Sequence, residues 1–500
     1  MLQDQTSELK LAGLFSDNMV LQHGVAIPVW GTGTPGETLT IRVGESKKSA
    51  LVMPDGSWSV SFDPLDACQA LSISVESPRS RIEVWNILTG EVWICSGQSN
   101  MEFLLKDEEG ADFFVANANH PSIRKLSLPR STALNPQTEF QASWEICTPE
   151  TAGSFSAVAY HFATRLHHAL DTPVGLITNA YGGSCAEAWT PADCLASDPD
   201  FSPILETWEE FLRNYQSDPR QRELVAEENR AKVVAAGLQP PPWPLEQKSP
   251  ESFHRPSVLF NAMVHPLIPF PAKGVLWYQG EANFTRAHQY PKLLSALIGG
   301  WREKWQNPDL WFLIVQLPKF NADWIGIDTF TEIRESQMLA AKSNSRTAIT
   351  CNIDLGDPAD VHPRRKQEVG ERLAKIAIGR IYQKNLGFSA PEFRSRCAQN
   401  GKIRLDFDNA EGLHALDGTP RGFTIAGPDK HFTPAQAEIH GQSILIEADP
   451  ETTRSIRYAW ANAPDANVYN AHNLPLFPFR TDDWPIEIHP NCVRYFDKIY

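Results

Sequence analysis

The sequence predicts an α/β protein in which a three-layer α/β/α domain, built on a parallel sheet, lies between two β domains. Near-continuous apolar runs in the middle of the chain, such as 174–180 and 274–278, are typical of strands buried on both faces of a parallel sheet. These runs alternate with helix-prone segments, of which 157–169 and 289–305 are the clearest. Toward both ends of the chain, short strand-like segments separated by turn residues replace this alternation.

Residues 1–88 are predicted to form an N-terminal β-sandwich-like domain. Strand-like segments at 26–31, 38–43 and 57–62 follow one another at short intervals. Turn-forming residues separate them, including the Pro-Asp-Gly triplet at 54–56. Regular spacing of this kind is typical of a small sandwich.

Residues 89–386 are predicted to form the three-layer domain. Two further apolar runs, 310–316 and 347–353, add buried strands, and 365–382 adds a helix. A charged, helix-prone segment at 201–255 contains a proline-rich run and interrupts the strand pattern. It is therefore interpreted as an insertion and not as part of the sheet.

Residues 387–500 are predicted to form a C-terminal β domain of ordinary size. Strand-like segments return at 402–407, 422–427 and 443–447.

Composition excludes several classes of partner. Hydrophobic residues make up 42% of the 500 residues and charged residues 21%, as in an ordinary globular protein. The formal net charge of −15 argues against binding to nucleic acid or to anionic membranes, because both need basic patches. The chain contains no apolar run long enough for membrane insertion, and its polar start lacks the pattern of a signal peptide.

The segment 94–101, Ile-Cys-Ser-Gly-Gln-Ser-Asn-Met, places Ser99 where a strand turns into a helix. A hydroxyl in that position lies at the carboxyl edge of a sheet, where backbone N–H groups and a helix N-terminus can stabilise an oxyanion. A structural alternative is a capping box, with Ser99 as the N-cap and Glu102 at the third helical position. The segment by itself permits both interpretations.

Three other polar segments each follow a different predicted strand, where open α/β sheets bind ligands. In the first, Gly182-Gly183-Ser184, the glycines permit a positive φ, so that a backbone N–H can face a substrate carbonyl. An ordinary strand-to-helix turn would have the same composition. The glycine pair is therefore a candidate donor for an oxyanion and no more than that.

The second segment, 277–283, concentrates polar side chains directly after a strand. Gln279 or Asn283 could donate a hydrogen bond to a developing oxyanion, and Glu281 could position a base. A polar loop without a catalytic role is the alternative.

The third segment, 357–363, contains His362 with Asp360 two residues before it, after a strand that ends near Asp354. A histidine with a nearby carboxylate has the parts of a general base and its orienting acid. A lone histidine is more often a surface or capping residue. The four segments matter together, because four such strand ends meeting by chance at one sheet edge is far less probable than any one of them.

This conjunction resembles the sialate O-acetylesterase family of carbohydrate esterases, within the SGNH hydrolase superfamily. The motifs that carry the resemblance extend over nearly the whole chain outside 201–255. They are 97–101 (Gly-Gln-Ser-Asn-Met), 277–281 (Trp-Tyr-Gln-Gly-Glu), 361–363 (Val-His-Pro) with 366–370 (Lys-Gln-Glu-Val-Gly), 14–22 near the start, and 474–475 with 478–482 near the end.

The resemblance implies a role for each matched residue. Ser99 is the nucleophile, and its own N–H forms part of the oxyanion hole. His362 is the general base. Gly183 supplies a second oxyanion N–H, and Gln279 takes the place held by asparagine in other SGNH enzymes.

The third member of the triad departs from the family pattern. The common SGNH arrangement has the acid three residues before the histidine, where this chain has Ala359. Asp360 is one residue closer and is the preferred candidate, because it lies on the same short loop as His362. Glu281 and Asp354 are alternatives, and Asn283 is a further substrate contact.

The implied activity is hydrolysis of carbohydrate O-acetyl esters, with O-acetylated sialic acids as the leading substrates. An esterase for xylan or another acetylated polysaccharide is the alternative within this class, and a non-catalytic carbohydrate-binding protein is the alternative outside it. No cofactor is implied, and the eight scattered cysteines without Cys-x-x-Cys spacing predict no metal site. The resemblance favours a periplasmic or secreted protein, whereas the polar start is compatible with a cytoplasmic one.

Overall fold

The computed structural model describes residues 8–235, 249–321, 329–384, 387 and 389–484. It has a mixed α/β fold with a large mixed sheet and additional β sheets, which confirms the predicted class at this level. The chain divides into two compact units. Unit 1 comprises Met1–Gly182, Ser257–Trp277 and Gly299–Phe312, and unit 2 comprises Gly183–Pro256, Tyr278–Ile298 and Leu313–Tyr500.

The chain begins with eight strands, and two of the predicted segments, 38–43 and 57–62, agree with the observed bounds. Strands β1, β3 and β6 form a small antiparallel sheet, while β4 pairs with β5 and β7, and β7 pairs with β8. The strands are β1 (Lys10–Leu11), β2 (Val20–Gln22), β3 (Ile27–Thr32), β4 (Thr38–Val43), β5 (Ser46–Leu51), β6 (Ser57–Phe62), β7 (Ala70–Glu76) and β8 (Arg81–Gly97).

Strand β8 is 17 residues long and changes partners along its length. Its first half pairs antiparallel with β7, and β2 pairs parallel with residues 88–90. From Thr89 to Gly97 every residue is buried, and residues 91–97 pair parallel with the strand at 174–180. The predicted boundary between residues 88 and 89 therefore falls inside one continuous strand, at the point where burial changes from partial to complete.

The next elements belong to unit 1 and show that the sheet is mixed, and not all parallel as predicted. Strand β11 is parallel to β8 and β9, but β10 is antiparallel to β9. The chain between β9 and β10 contains no helix, and a parallel return would normally need a helical crossover. These elements are α1 (Ser99–Glu102), α2 (Ala111–Ala116), β9 (His120–Ser127), β10 (Trp144–Cys147), α3 (Pro149–Ala152), α4 (Ala157–Leu170) and β11 (Val174–Ala180).

Between residues 183 and 384, the described segments contain further helices and the remaining strands of the central sheet. Its strand order is β10-β9-β11-β8-β12-β13-β14. Two helices, α6 and α7, lie within the predicted insertion, whose proline-rich run is outside the described residues. The elements are α5 (Ala192–Ala196), α6 (Ser202–Arg213), α7 (Pro219–Ala235), β12 (Gly274–Tyr278), α8 (Tyr290–Lys304), β13 (Trp311–Val315), α9 (Thr329–Ser343), β14 (Thr347–Thr350) and α10 (Gln367–Ile376).

Strands return after residue 391, as predicted, and form two four-stranded sheets and a two-stranded one within unit 2. Leu405, Ile444, Ile456 and Tyr458 are fully buried in their shared core. The strands are β15 (Glu392–Gln399), β16 (Lys402–Asp408), β17 (His414–Ala415), β18 (Phe423–Ala426), β19 (Phe432–Pro434), β20 (Ala437–His440), β21 (Ser443–Ile446), β22 (Ser455–Tyr458), β23 (Val468–Tyr469) and β24 (Phe479–Arg480).

Short helical turns complete the described structure. They lie at Leu105–Asp107, Ala186–Trp189, Pro199–Phe201, Phe260–Val264, His265–Leu267, Glu281–Arg286 and Ala377–Ile381. Across the described ranges, no helix is both long enough and apolar enough to cross a membrane.

Gly90 marks the tightest approach along β8 and supplies a stability prediction. A Cβ there would lie 2.1 Å from the carbonyl oxygen of Pro173, so a side chain cannot be added without moving backbone. We expect Gly90→Ala to destabilise the protein by about 1–3 kcal/mol, measured from urea or thermal unfolding. The matched control is Gly299→Ala in α8, where nothing lies within 4 Å and helix propensity predicts a gain of about 0.5–1 kcal/mol. Equal effects of the two changes would contradict the packing argument.

Candidate active site

Ser99 lies at the end of β8, on the turn that the sequence predicts. Gly97 has a φ of +137°, and Gln98 is extended before the helical residues begin at Ser99. The carbonyl of Gln98 accepts hydrogen bonds from the backbone N–H groups of Met101 and Glu102, at 2.9 and 3.1 Å. Gln98 is therefore the N-cap, and the capping-box interpretation of Ser99 is wrong.

The carboxylate of Glu102 has a different role from the one a capping box would give it. Arg130 donates two hydrogen bonds to it, each 2.6 Å long, in the bidentate geometry that carboxylates and guanidinium groups favour. The backbone N–H of Gly182 donates a third, at 3.0 Å. Glu102 thus connects the turn after β8 to the turn after β11.

Ser99 and the turn after β11 are close neighbours within unit 1. The ends of the two strands are in register at Gly97 and Ala180, and the N–H of Tyr181 donates to the carbonyl of Gly97 at 3.1 Å. A Cβ placed on Gly182 would lie 3.5 Å from the Cβ of Ser99. The predicted meeting of these two strand ends is confirmed, although α1 is a single four-residue turn and its dipole is correspondingly small.

Gly183 begins unit 2 in the left-handed conformation that its sequence motif predicts. Its φ is +74°, a value that favours glycine over residues with a side chain. Ser184, which follows, is fully buried, and its hydroxyl accepts a hydrogen bond of 2.8 Å from the indole N–H of Trp189. Whether the Gly183 N–H serves an oxyanion stays a prediction.

Gln279 is fully buried directly after β12, and its amide holds the turn at Ser184. Its Nε2 donates to the carbonyl of Ser184 at 3.2 Å and to Oδ1 of Asn283 at 2.7 Å. The Tyr290 hydroxyl donates to Oε1 at 2.8 Å, and Gln337 donates to the Gln279 carbonyl at 2.9 Å. Both amide hydrogens of Gln279 are engaged, so direct donation to an oxyanion would require one of these bonds to break.

Asn283 extends this network to a buried carboxylate that the sequence did not single out. Its Oδ1 accepts from the Ala186 N–H at 2.9 Å, and its Nδ2 donates to Glu187 at 2.9 Å. Glu187 also forms an ion pair with Arg286. Burial acts to raise the pKa of Glu187, but Arg286 and Asn283 hold it below its ordinary value, so the group is ionised. In the sequence, the only sign of this role is that Glu187 is a carboxylate within the otherwise apolar segment 186–189.

His362 is half-buried on the loop that precedes α10. One oxygen of the exposed Asp360 carboxylate, Oδ1, accepts the backbone N–H of His362 at 2.8 Å, which bends the loop back on itself. Burial and then the charge of Lys366 lower the pKa of His362 below its ordinary value, while the charge of Asp360 acts in the opposite direction. The arrangement favours a neutral imidazole at neutral pH.

Lys366 and Glu281 are buried beside the ring of Tyr278 in unit 2. The Nζ of Lys366 lies 5.5 Å from the centre of that ring, within cation–π range. Burial raises the pKa of Tyr278 well above its usual range, and the charge of Glu281 adds to the effect. Sequence reasoning quoted Lys366 only as part of a motif and gave it no role.

Comparison with known proteins identifies the family. A model described as "Carbohydrate esterase, sialic acid-specific acetylesterase" matches residues 250–379, which include Gln279 and His362. The sialate O-acetylesterases of Mus musculus and Homo sapiens are each 28% identical to the chain, covering 94% and 95% of it and 94% of each relative. The crystal structure of a carbohydrate acetylesterase from Xanthomonas citri is 32% identical, with a TM-score of 0.81 over 95% of this chain and 100% of that one.

The chain belongs to the sialate O-acetylesterase family of carbohydrate esterases. It is accordingly a carboxylic ester hydrolase. The resemblance inferred from the motifs is therefore confirmed.

Asp354, one of the alternative acids, is committed to another partner in this esterase. Arg372 donates two hydrogen bonds of 2.7 Å to its two carboxylate oxygens, and a third of 2.7 Å to the carbonyl of Cys351. The side chains of Arg372 and Asp354 are only 9% and 14% exposed. This pair fixes the chain after β14 against α10.

The Arg372–Asp354 pair predicts a large effect on stability. Arg372→Met leaves a carboxylate without its counterion in a mostly buried position, and we expect a loss of about 3–5 kcal/mol in the free energy of unfolding. Arg394→Met is the control, because the pair of Arg394 with Asp408 has side chains 57% and 56% exposed. The control should change stability by less than about 1 kcal/mol. Comparable losses in the two variants would show that burial is not the deciding factor.

Proposed function

We propose that this esterase hydrolyses O-acetyl esters of carbohydrates through an acetyl-enzyme on Ser99, with O-acetylated sialic acids as the leading substrates. We propose further that its central domain is an SGNH-type three-layer hydrolase domain. The observation that carries the proposal is the position of Ser99, on a turn between two strand ends and against Gly182. The family of the chain supports the class of ester.

In the proposed mechanism, the Ser99 hydroxyl attacks the acetyl carbonyl while the imidazole of His362 accepts its proton. The tetrahedral oxyanion forms, the ester C–O bond breaks, and His362 returns the proton to the departing sugar hydroxyl. Water then attacks the acetyl-enzyme with His362 as base, releasing acetate and restoring Ser99. The lowered pKa of His362 supports this role, because a base must be neutral before it can accept a proton.

The oxyanion is proposed to be held by the backbone N–H groups of Ser99 and Gly183. The Gly182 N–H is excluded from this set, because it already donates to Glu102. Gln279 is proposed to contribute by holding the carbonyl of Ser184, which fixes the turn that presents Gly183. We propose that Gln279 donates directly to the oxyanion only after its hydrogen bond to Asn283 or to Ser184 has broken.

Asp360 remains the proposed acid of the triad. Its bond to the His362 backbone keeps the carboxylate next to that residue, and its charge stabilises the protonated imidazole. Solvent screens an exposed carboxylate, so the effect is smaller than in a buried triad. Asp354 is a weaker candidate, since Arg372 occupies both of its oxygens. Glu281, buried beside Tyr278, is the alternative to be tested against Asp360.

A polysaccharide O-acetylesterase is the second candidate function. The carbohydrate acetylesterase of Xanthomonas citri, 32% identical to the chain, is named for carbohydrate esters in general, a class that includes acetylated polysaccharides. Hydrolysis rates of the purified protein on O-acetylated sialosides and on acetylated xylan would discriminate the two. Release of acetate from only one substrate would decide the matter.

Ser99→Ala tests the nucleophile. We expect hydrolysis of p-nitrophenyl acetate to fall by several orders of magnitude, because no covalent intermediate can form. Stability should change by less than about 1 kcal/mol, since Ser99 is not the N-cap. The control is Ser96→Ala, a buried serine on β8 whose hydroxyl has no hydrogen-bond partner among the described residues. Near-normal turnover in folded Ser99→Ala would refute the assignment.

The acid limb of the pH profile tests His362 and its two charged neighbours. Activity should be lost as pH falls through the pKa of His362, with a midpoint in kcat/KM below about 6.5, the usual value for histidine. Lys366→Gln should move this midpoint to higher pH, and Asp360→Asn to lower pH, because the two charges act in opposite directions.

Lys375→Gln, on the helix α10 that Lys366 precedes, is the control for a change of lysine charge alone and should leave the midpoint in place. Circular dichroism would verify that the variant of the buried Lys366 is folded. An unchanged midpoint in both Lys366→Gln and Asp360→Asn, with chemistry rate-limiting, would contradict the assignment of His362 as the base.

A further inference from the structure

Unit 2 contains a cavity of about 590 Å³ that the proposed mechanism does not use. Its walls come from Pro199 and Asp200, just before the insertion, from α6 within the insertion, and from the chain after β12, at Arg286 to Lys292. Glu187 also lines it. A volume of this size lies within the range of pockets that bind small ligands.

One wall of the cavity is apolar and carries an aromatic ring. Trp208 and Ile204 lie one turn apart on α6, and Pro199 and Pro203 adjoin them. The Trp208 ring packs edge-on against Phe211, with ring centres 5.1 Å apart, which restrains its orientation. A flat indole face beside aliphatic groups is suited to the C–H face of a sugar ring.

Other residues lining the cavity are charged, but their charges are paired. Arg286 pairs with Glu187, and their side chains are only 17% and 3% exposed. Lys292 pairs with Asp200 and, at 2.9 Å, with Asp198. An anionic ligand would have to displace a carboxylate from one of these cations. Hydroxyl groups, in contrast, can bond to the remaining donor and acceptor positions of ionised groups without breaking the pairs.

The cavity is connected to the proposed oxyanion turn by a short hydrogen-bonded path. Glu187 bonds to Asn283, and Asn283 bonds to the Ala186 N–H and to Gln279, which holds Ser184. Gly183 and Glu187 are four positions apart along the chain, a span of at most about 14 Å. A ligand in the cavity therefore lies within a few sugar rings of Gly183.

We propose that this cavity is a subsite for a neutral pyranose ring of the glycan that carries the acetyl ester. The proposal rests on the proposed function for the identity of the glycan, but binding of the neutral ring does not itself require turnover. Trp208 stacks on the ring, and the ionised pairs of Arg286 with Glu187 and Lys292 with Asp200 bond to its hydroxyl groups. The esterase thereby recognises a sugar beyond the one that is deacetylated.

The test is binding of unacetylated sugars to the full chain, measured by saturation-transfer NMR. The probes are three neutral disaccharides, lactose, cellobiose and xylobiose, and the anionic sugar N-acetylneuraminic acid. We expect at least one neutral disaccharide to bind, and Trp208→Ala to weaken it by about tenfold or more. The affinity of Trp208→Phe should lie between those of the wild type and Trp208→Ala, because phenylalanine keeps an aromatic ring. Trp85→Ala changes an exposed tryptophan of unit 1 and should bind the disaccharide like the wild type.

Several results would overturn the proposal. The first is that none of the three neutral disaccharides binds. The second is that a neutral disaccharide binds equally well to Trp208→Ala. The third is that Trp208→Ala loses binding of N-acetylneuraminic acid but not of the neutral disaccharides. The last result would assign the cavity to an anionic sugar. An inactive wild-type protein would refute the proposed function without affecting these measurements, so failures of the two proposals can be told apart.

Discussion

The continuous strand β8 is the constraint on which the candidate site depends. Its buried half passes through the middle of the central sheet, where neighbours on both sides hold it, so its end at Gly97 has little freedom. Where the strand becomes fully buried, the side chain of Gln22 accepts the Val92 N–H at 2.8 Å and donates to Glu91. Burial acts to raise the pKa of Glu91, but His23 and Gln22 hold it below its ordinary value. The N-terminal strands thus anchor the strand that presents Ser99.

The turn at Gly183 and Ser184 is held by a network of buried polar side chains and not by strand pairing. Gln279, Asn283 and Glu187 are almost completely buried and bond to one another, to backbone groups and to Arg286. Such a network is costly unless its members are satisfied, and satisfied members permit few other conformations. It therefore specifies the turn at Ser184 sharply. The same network borders the cavity, so recognition of a distant sugar and the geometry of the turn share residues.

The candidate acids show how the tertiary structure separates residues that look equivalent in the sequence. Asp354 is held by Arg372, Glu281 is buried beside Tyr278, and Asp360 remains exposed on the loop of His362. Their electrostatic effects differ accordingly. A buried, paired carboxylate makes the fold depend on its partner, whereas an exposed one acts on His362 weakly and through solvent. The lowered pKa of His362 reflects burial and Lys366 more than any carboxylate.

The sequence by itself determined the mixed α/β class, most strands of the central sheet and the turn that holds Ser99, but not that the sheet is mixed. Strands such as 174–180 and 274–278 were predicted with the observed bounds, because apolar runs and turn residues are local signals. The antiparallel β10, the ion pair of Glu102 with Arg130 and the bond of Glu187 to Asn283 were decided only by the tertiary structure. Glu102 and Arg130 are 28 residues apart in the sequence, and Glu187 and Asn283 are 96 apart. No local pattern encodes which of these side chains will meet. Hydrogen bonds of that kind also decide which N–H groups remain available to a substrate.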